Sequence, residues 1–409
     1  MKKTKSISTT IVFLVLLLIV NSCKEHVKHN ENNNATQPNP ILDSITNEIE
    51  SLYDKAVFNG FAVSIVDSTG ILYNRGFGYA DVHKKKKYTE NTVINIASIS
   101  KVFIAAALLK AEEMGFVTLD DPINKYLPFE VVNPNYPDIS ITIRQLATHT
   151  SSIVDTDIYM QTCYVNKDDI PISEQLKRYE LYYQNPSKNW MPLADYMRKV
   201  LKKDEAFYSL STFPKRKPGA LREYSNIGAA LCALVVEYAS NTPFNEFTKE
   251  HIFQPLNMNS TTWFIEEADS ESYSKLYYDD EELPYYKILS YPDGGLITSS
   301  TDLSKFLIEL INGYSGKGSI LNASSYKTFF KSQLEQDALG GKDNFNVGLF
   351  IDKELAYNVI GHTGGDPGTN TMMFFNTENK TGRIFITNTD SKKENSMETM
   401  WSIWDALKI

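Results

Sequence analysis

A serine hydroxyl three residues ahead of a lysine amine recurs in this chain, at Ser98–Lys101, Ser272–Lys275 and Ser324–Lys327. On a helix that spacing sets both groups on one face, one turn apart. If the serine opens the helix, the backbone N–H groups and the dipole there favour a developing oxyanion. A desolvated lysine loses its proton more readily and can then activate the serine. Context separates the three pairs. Ser98-Ile99-Ser100-Lys101 stands where polar sequence passes into a long apolar helix pattern, which would leave the pair half-buried at a helix start. Ser272–Lys275 lies in an acidic, Tyr-rich stretch and reads as a solvated pair, and Ser324–Lys327 opens a short surface helix. Other hydrolase signatures are missing: there is no Gly-x-Ser-x-Gly, no His-Glu-x-x-His and no P-loop.

Two further motifs follow Ser98–Lys101 in order, Tyr224-Ser225-Asn226 and His362-Thr363-Gly364. Between and around them fall Leu119-Asp120-Asp121-Pro122, Ala147-Thr148-His149-Thr150-Ser151, Phe253-Gln254-Pro255-Leu256 and Gly294-Gly295-Leu296. Over about residues 45–405 the chain resembles the serine β-lactamase and penicillin-binding-protein superfamily, in its class C and DD-peptidase-like branch. In that branch the middle motif is Tyr-x-Asn and the last is Lys- or His-Thr-Gly. Both have decoys here. Tyr164 and Tyr183 also begin a Tyr-x-Asn, but only Tyr224 follows a Pro-Gly turn and precedes an apolar helix. Lys380-Thr381-Gly382 falls in a turn between two strands, where it would face solvent. His362 is preceded by an apolar stretch and followed by Gly365, as a strand lining a cleft should be.

The resemblance implies roles. Ser98 would be the nucleophile, and Lys101 and Tyr224 would share the proton among Ser98, the leaving group and the deacylating water. Asn226 would hold the substrate's amide carbonyl. His362 and Thr363 would line the cleft and bind a carboxylate or carbonyl, with Gly364 completing their motif. The backbone N–H groups of Ser98 and Gly365 would form the oxyanion hole. This chemistry needs no metal and no cofactor. His149 reads as a structural, hydrogen-bonded histidine off the reacting centre. Two departures from the family pattern, Ser152 after His-Thr-Ser and Asn257 in place of a glycine, suggest altered local turns. The implied activity is acyl-enzyme hydrolysis of an amide or ester, of DD-peptidase, D-aminopeptidase or esterase type. A true β-lactamase and a non-catalytic penicillin-binding or sensor module are the alternatives.

The elements that must position these residues follow from periodicity. Residues 42–57 read as an amphipathic helix, and 61–67 with 71–79 as a hairpin across Ser-Thr-Gly. Helical pattern covers 100–114, 192–203, 226–239, 243–252, 302–312 and 395–408. Strands are expected at 372–375 and 383–387. Strands thus cluster at both chain ends and helices in the middle. That order predicts an α/β fold of β-lactamase/transpeptidase type: an antiparallel sheet built from both ends and flanked by helices, with a mostly helical lobe inserted at about 110–290.

The chain has 409 residues with 41 Lys+Arg against 50 Asp+Glu, a formal charge of −9. That balance argues against a nucleic-acid partner, because neutralising phosphates needs an excess of basic residues. Three scattered cysteines cannot build a zinc cage. Lys2, Lys3 and Lys5 precede an unbroken apolar run of ten, Ile11–Val20, too short for a spanning helix of about 20 residues and suited to a secretory signal. Val20-Asn21-Ser22-Cys23 resembles the lipobox of bacterial lipoproteins, with cleavage before a Cys23 that becomes acylated. The expectation is therefore a signal peptide over 1–22, a polar tether over 23–41 and the hydrolase domain over 42–409. The product would be an exported bacterial lipoprotein, periplasmic or cell-surface, held to the bilayer through Cys23. Its partner would be a small-molecule, peptide or ester substrate, cell-wall-derived in the DD-peptidase case. Removing the three lysines of residues 1–22, which carry no acids, moves the charge from −9 to about −12. Cys163 and Cys232 could pair after export, but Cys232 lies in an apolar helix pattern and reads as a buried free thiol. Oligomeric state is left open by the sequence.

Overall fold

The computed structural model describes residues 40–53 and 57–409. The signal segment, Cys23 and the tether up to residue 39 lie outside the described residues. Pro40 and Ile41, assigned above to the tether, instead open the first helix, α1 (Pro40–Tyr53). Proline suits that position, since it has no N–H to leave unpaired in the first turn.

The main sheet has eight antiparallel strands: β1 (Gly60–Asp67), β2 (Gly70–Asp81), β3 (Lys86–Lys87), β4 (Phe345–Val347), β5 (Asp352–Glu354), β6 (Val359–Asp366), β7 (Thr369–Asn376) and β8 (Gly382–Thr387). Their order is β4-β5-β6-β7-β8-β1-β2-β3. The two chain ends meet where β1 pairs with β8, Phe61 facing Thr387 and Ile65 facing Arg383. The expected sheet from both termini is therefore present.

Alternation along the strands sets the two faces of this sheet. Phe61, Val63 and Ile65 of β1, Met372 of β7 and Phe385 of β8 point to one side. There they pack with Ile45 and Ile49 of α1 and with Ile403 and Trp404 of α5 (Ser396–Ala406). Met373, Phe375, Ile384 and Ile386 point to the other side, into the large core that contains α2 (Ser100–Glu113), α3 (Asn226–Ser240) and α4 (Ser300–Tyr314). Helices thus cover both faces, and each flank has its own apolar core.

Helix α2 is not amphipathic. Eleven of its residues, from Ser100 to Ala111, are buried. A helix apolar all round belongs inside a protein, here between the sheet-covering α4 and the lobe helix α3. Phe103 of α2 stacks on Phe306 of α4 with ring centroids 3.8 Å apart. The inserted region holds α3, helices at Ile143–Ala147, Asp157–Thr162, Glu180–Tyr183, Leu193–Leu201 and Phe244–Thr248, irregular segments and four short strands. Of these, Tyr164–Asn166 pairs with Tyr286–Ile288, and Leu276–Tyr278 with Glu281–Leu283.

The two expected altered turns keep a glycine-like backbone. Ser152 (φ 61°) and Asn257 (φ 54°) both stand in the left-handed region that favours glycine. Lys380 also departs from expectation: it does not simply face solvent but lies half-buried with its amine 4.4 Å from the Tyr314 ring centre. Cys163 and Cys232 are both free and buried. Among the described residues no helix is long and apolar enough to cross a membrane.

Because Phe103 ties α2 to the layer that rests on the sheet, Phe103→Ala is expected to lower unfolding stability by about 3–5 kcal/mol in denaturant melts. A loss below about 1 kcal/mol would show that α2 is held by other contacts.

Candidate active site

Ser98 lies in a single 3-10 turn, Ala97–Ile99, that runs directly into α2. The turn is built by its own side chains. Asn95 Oδ1 accepts from Ala97 N at 2.5 Å, and Ser100 Oγ donates to Ala97 O at 2.6 Å while accepting from Leu296 N. Ala97 is held at φ 49°, a left-handed backbone that costs an alanine roughly 1–2 kcal/mol. Ser98 itself is half-exposed among buried neighbours.

Lys101, one turn on, is fully buried. Its Nζ donates to Ser98 Oγ at 3.0 Å and to the Asp293 backbone oxygen at 2.5 Å. The same amine lies 5.0 Å from the centre of the Tyr224 ring. Burial alone would favour the neutral amine, which was the sequence expectation. Tyr224, Asp293 and Asp155 together outweigh it and hold Lys101 above its ordinary value, so the resting group is an ammonium. The Tyr224 hydroxyl is buried beside this amine and favours its charged form.

Tyr224 and Asn226 sit at the start of α3, whose cap is Ser225, with Oγ accepting from Gly228 N. His149 is closer to this motif than expected. Its ring lies on the Tyr224 ring at 4.4 Å, its Nδ1 accepts from Ser225 N, and its carbonyl accepts from Glu223 N. Burial drives its pKa well below the usual histidine range, so it is neutral. Asn226 donates its side-chain amide to Asp155 at 2.8 Å.

The third motif comes from β6. Gly364 packs against the nucleophile turn so tightly that a Cβ would fall 2.5 Å from Ile96 O and 3.0 Å from Ser98 N. Only glycine fits there. At Gly365 the nearest atom to a Cβ would be Asn370 Oδ1 at 3.5 Å, so that position has room. Thr363 and Gly365 are exposed, whereas His362 is only 4% exposed. Its Nδ1 donates to Thr363 O at 2.5 Å, and burial lowers its pKa. His362 is thus a neutral, inward-facing neighbour of Tyr224 (ring centres 6.2 Å apart), and the face this strand offers the cleft is that of Thr363 and Gly365.

Ser98, Lys101, Tyr224, His362 and Gly364 are therefore brought into one centre. The decoy pairs are not. Ser272 bonds Asp269 and Lys275 bonds Glu282, both away from Ser98. Besides Asp155, two acids that the sequence pattern does not single out approach the same centre. Asp293 accepts from Tyr159 at 2.6 Å, and Asp366 accepts from Tyr164 at 2.5 Å. Burial raises Asp293 to about 6, and burial with the charge of Asp293 raises Asp366 to about 7. Their signal was adjacency: Asp293 precedes Gly294-Gly295 and Asp366 follows Gly364-Gly365. Tyr164 proves to be a partner of Asp366 and not a second Tyr-x-Asn centre.

Since Asp366 binds its proton more tightly folded than unfolded, its contribution favours folding at low pH. That contribution is lost as pH rises from about 4 through about 7. Asp366→Asn cannot ionise and still accepts from Tyr164. It is expected to match the wild type near pH 4 and to exceed it by on the order of 4 kcal/mol at pH 8 in denaturant melts. Equal stability of the two proteins at pH 8 would count against a raised Asp366.

Comparison with known proteins agrees with this geometry. The family model described as Beta-lactamase matches residues 45–408. Penicillin-binding protein 4* of Bacillus subtilis (strain 168) is 26% identical over 378 residues, covering 84% of this chain and 71% of its own length. The beta-lactamase/D-alanine carboxypeptidase from Pseudomonas syringae superposes with a TM-score of 0.65 at 18% identity, over 91% of this chain and 100% of its own. The D-amino acid amidase from Ochrobactrum anthropi SV3 does so with 0.64 at 19%, over 90% and 99%. At those identities the two structures speak for the fold, while the family match runs through all three motifs. The chain belongs to the Beta-lactamase family, on the β-lactamase/transpeptidase-like fold of serine hydrolases.

Proposed function

We propose that the protein is a serine hydrolase that cleaves an amide or ester through an acyl-enzyme on Ser98. The observation that carries this reading is the 3.0 Å contact between Ser98 Oγ and Lys101 Nζ at the head of a buried helix. In the proposed reaction Ser98 Oγ bonds to the substrate carbonyl carbon and gives its proton to the Lys101–Tyr224 pair. The pair passes that proton to the leaving nitrogen or oxygen as the scissile bond breaks. Water then attacks the acyl-enzyme by the reverse route and frees Ser98. The developing oxyanion would be met by the N–H groups of Ser98 and Gly365; Gly364, next to Gly365, packs directly on the Ser98 main chain. With Lys101 resting as an ammonium, the pair must lose a proton before it can accept one, so activity should rise with pH.

Within this reading a D-aminopeptidase or esterase is favoured over a dedicated β-lactamase, because His362 is neutral and turned inward and this strand offers no cation to a substrate carboxylate. A DD-peptidase, whose peptide also ends in a carboxylate, would have to meet it with Thr363. A solved structure similar to this one is named as a D-amino acid amidase, which suits the D-aminopeptidase class. A cell-wall-derived peptide is the proposed substrate in the peptidase case. We also propose that the protein is exported and held to a membrane through an acylated Cys23.

Intact-mass measurement after brief exposure to a penicillin, with Ser98→Ala alongside, tests the nucleophile. The expected result is a lasting adduct on the wild type only, and a loss of roughly a thousandfold or more in p-nitrophenyl ester cleavage by the variant. Full activity of Ser98→Ala on every substrate the wild type cleaves would sink the proposal. For the anchor, Cys23→Ser is expected to leave the membrane fraction and to lack the lipid mass. A variant that still partitions with membranes and still carries lipid would refute it.

A further inference from the structure

Asp155 belongs to none of the three motifs, yet it holds the second of them. Its Oδ2 accepts from Asn226 N at 3.0 Å and from Asn226 Nδ2 at 2.8 Å. Its Oδ1 accepts from Ile227 N at 3.0 Å and from Ser225 Oγ at 3.4 Å. Four donors from three consecutive residues therefore converge on one carboxylate at the opening of α3. The helix dipole there favours a negative charge.

Burial raises the Asp155 pKa against the pull of the Ile227 and Asn226 N–H groups and of Lys101. Each of its oxygens nonetheless receives a backbone N–H, which can only donate, so both present themselves as acceptors and the sense of the Asn226 amide is settled. Nδ2 must face Asp155. The Asn226 Oδ1 makes no hydrogen bond within the protein and is not sealed from solvent, so it remains as a free acceptor. The position expected to hold a substrate carbonyl thus has one of its two amide hydrogens already taken.

Asp155 also acts on Lys101. The groups that surround this ammonium are Ser98 from the nucleophile turn, Asp293 from the turn 291–293, and Tyr224 with Asp155 at the start of α3. His149, His362 and Asp366 lie near enough for Lys101 to shift their own titrations. Among these, Asp155 bears on both the ammonium and Asn226.

We propose that Asp155 is a positioning residue: held by the four donors at the head of α3, its carboxylate sets the orientation of the Asn226 amide and places a negative charge on the Lys101 side of the site. Its kinetic consequence rests on the hydrolase reading above; its effects on Asn226 and on Lys101 do not.

Two variants separate geometry from charge. Asp155→Asn keeps only one side-chain oxygen, so whichever way it turns its NH2 group meets a backbone N–H, of Asn226 or of Ile227, and the hold on the Asn226 amide is lost. It also removes the negative charge near Lys101. Asp155→Glu keeps the charge and displaces the carboxylate. We would follow the Lys101 titration by NMR of the lysine side-chain carbon next to the amine, and the pH profile of kcat/KM on a p-nitrophenyl ester. Asp155→Asn is expected to move both the Lys101 midpoint and the acid limb to lower pH, with a loss of about tenfold or more in limiting kcat/KM. Asp155→Glu is expected to lower kcat/KM with midpoint and limb in place, and it carries the charge comparison if Asp155→Asn does not fold. A Glu variant whose midpoint falls, or an Asn variant whose midpoint and limb stay put, overturns the proposal. If the wild type cleaves nothing, the hydrolase reading fails by itself. The Lys101 midpoint in Asp155→Asn then still decides: a fall supports the proposal and no change overturns it.

Discussion

A lysine with no exposed surface, held as an ammonium, is the constraint around which this molecule is arranged. Removing such an ion from water costs several kcal/mol, and it sits in the first turn of α2, where the helix dipole opposes a cation. The cost is offset by acceptors that arrive from distant parts of the chain: Ser98 Oγ one turn back, and the backbone oxygen of Asp293 from 192 residues further on. The charge of Asp155 at the head of α3 adds to these. The inserted lobe therefore docks where it does for an electrostatic reason as well as an apolar one. Removing one of these partners leaves the ammonium less compensated, which is costlier than losing an ordinary surface pair.

Some of the chain's backbone strain lies at this place. Ala97, His149 and Phe350 adopt left-handed backbones without being glycine, as do other residues far from it. Ala97 precedes the nucleophile, His149 lies on Tyr224, and Phe350 packs edge-on against His149. Each such residue costs of order 1–3 kcal/mol and persists only where its surroundings over-determine it. Here the surroundings are close contacts between main chains, above all the Gly364 seam against Ser98. Strain and preorganisation are two aspects of one arrangement: the turn cannot relax without moving the hydroxyl that it aims.

The acids around the ammonium give the centre a second character. Asp293 near 6 and Asp366 near 7 titrate close to neutrality, each tied to a buried tyrosine, Tyr159 and Tyr164. Burial raises both, and the charge of Lys101 restrains the rise. The state of Lys101 and the states of its acidic neighbours are therefore coupled, and a change at one is felt at the others.

Local sequence determined the elements. The apolar helix pattern after Ser98, the strands at 372–375 and 383–387, and the helix from Asn226 each appear as the element that short-range pattern dictates, because such patterns depend on neighbours a few residues away. Motif order, with the turn and helix context of each match, singled out Ser98, Lys101, Tyr224 and His362 from similar motifs elsewhere, and these four lie together in the fold. Glycine-like turns at Ser152 and Asn257 were not legible, since a residue type does not state the backbone angle its surroundings impose. Nor was the protonation of Lys101. Desolvation can be guessed from an apolar helix, but the carboxylates that reverse its effect come from residues 155 and 293 and meet the amine only in the fold. The inward turn of His362 and the hold of Asp155 on Asn226 are of the same kind. They depend on which atoms share a low-dielectric space, and only the tertiary structure decides that.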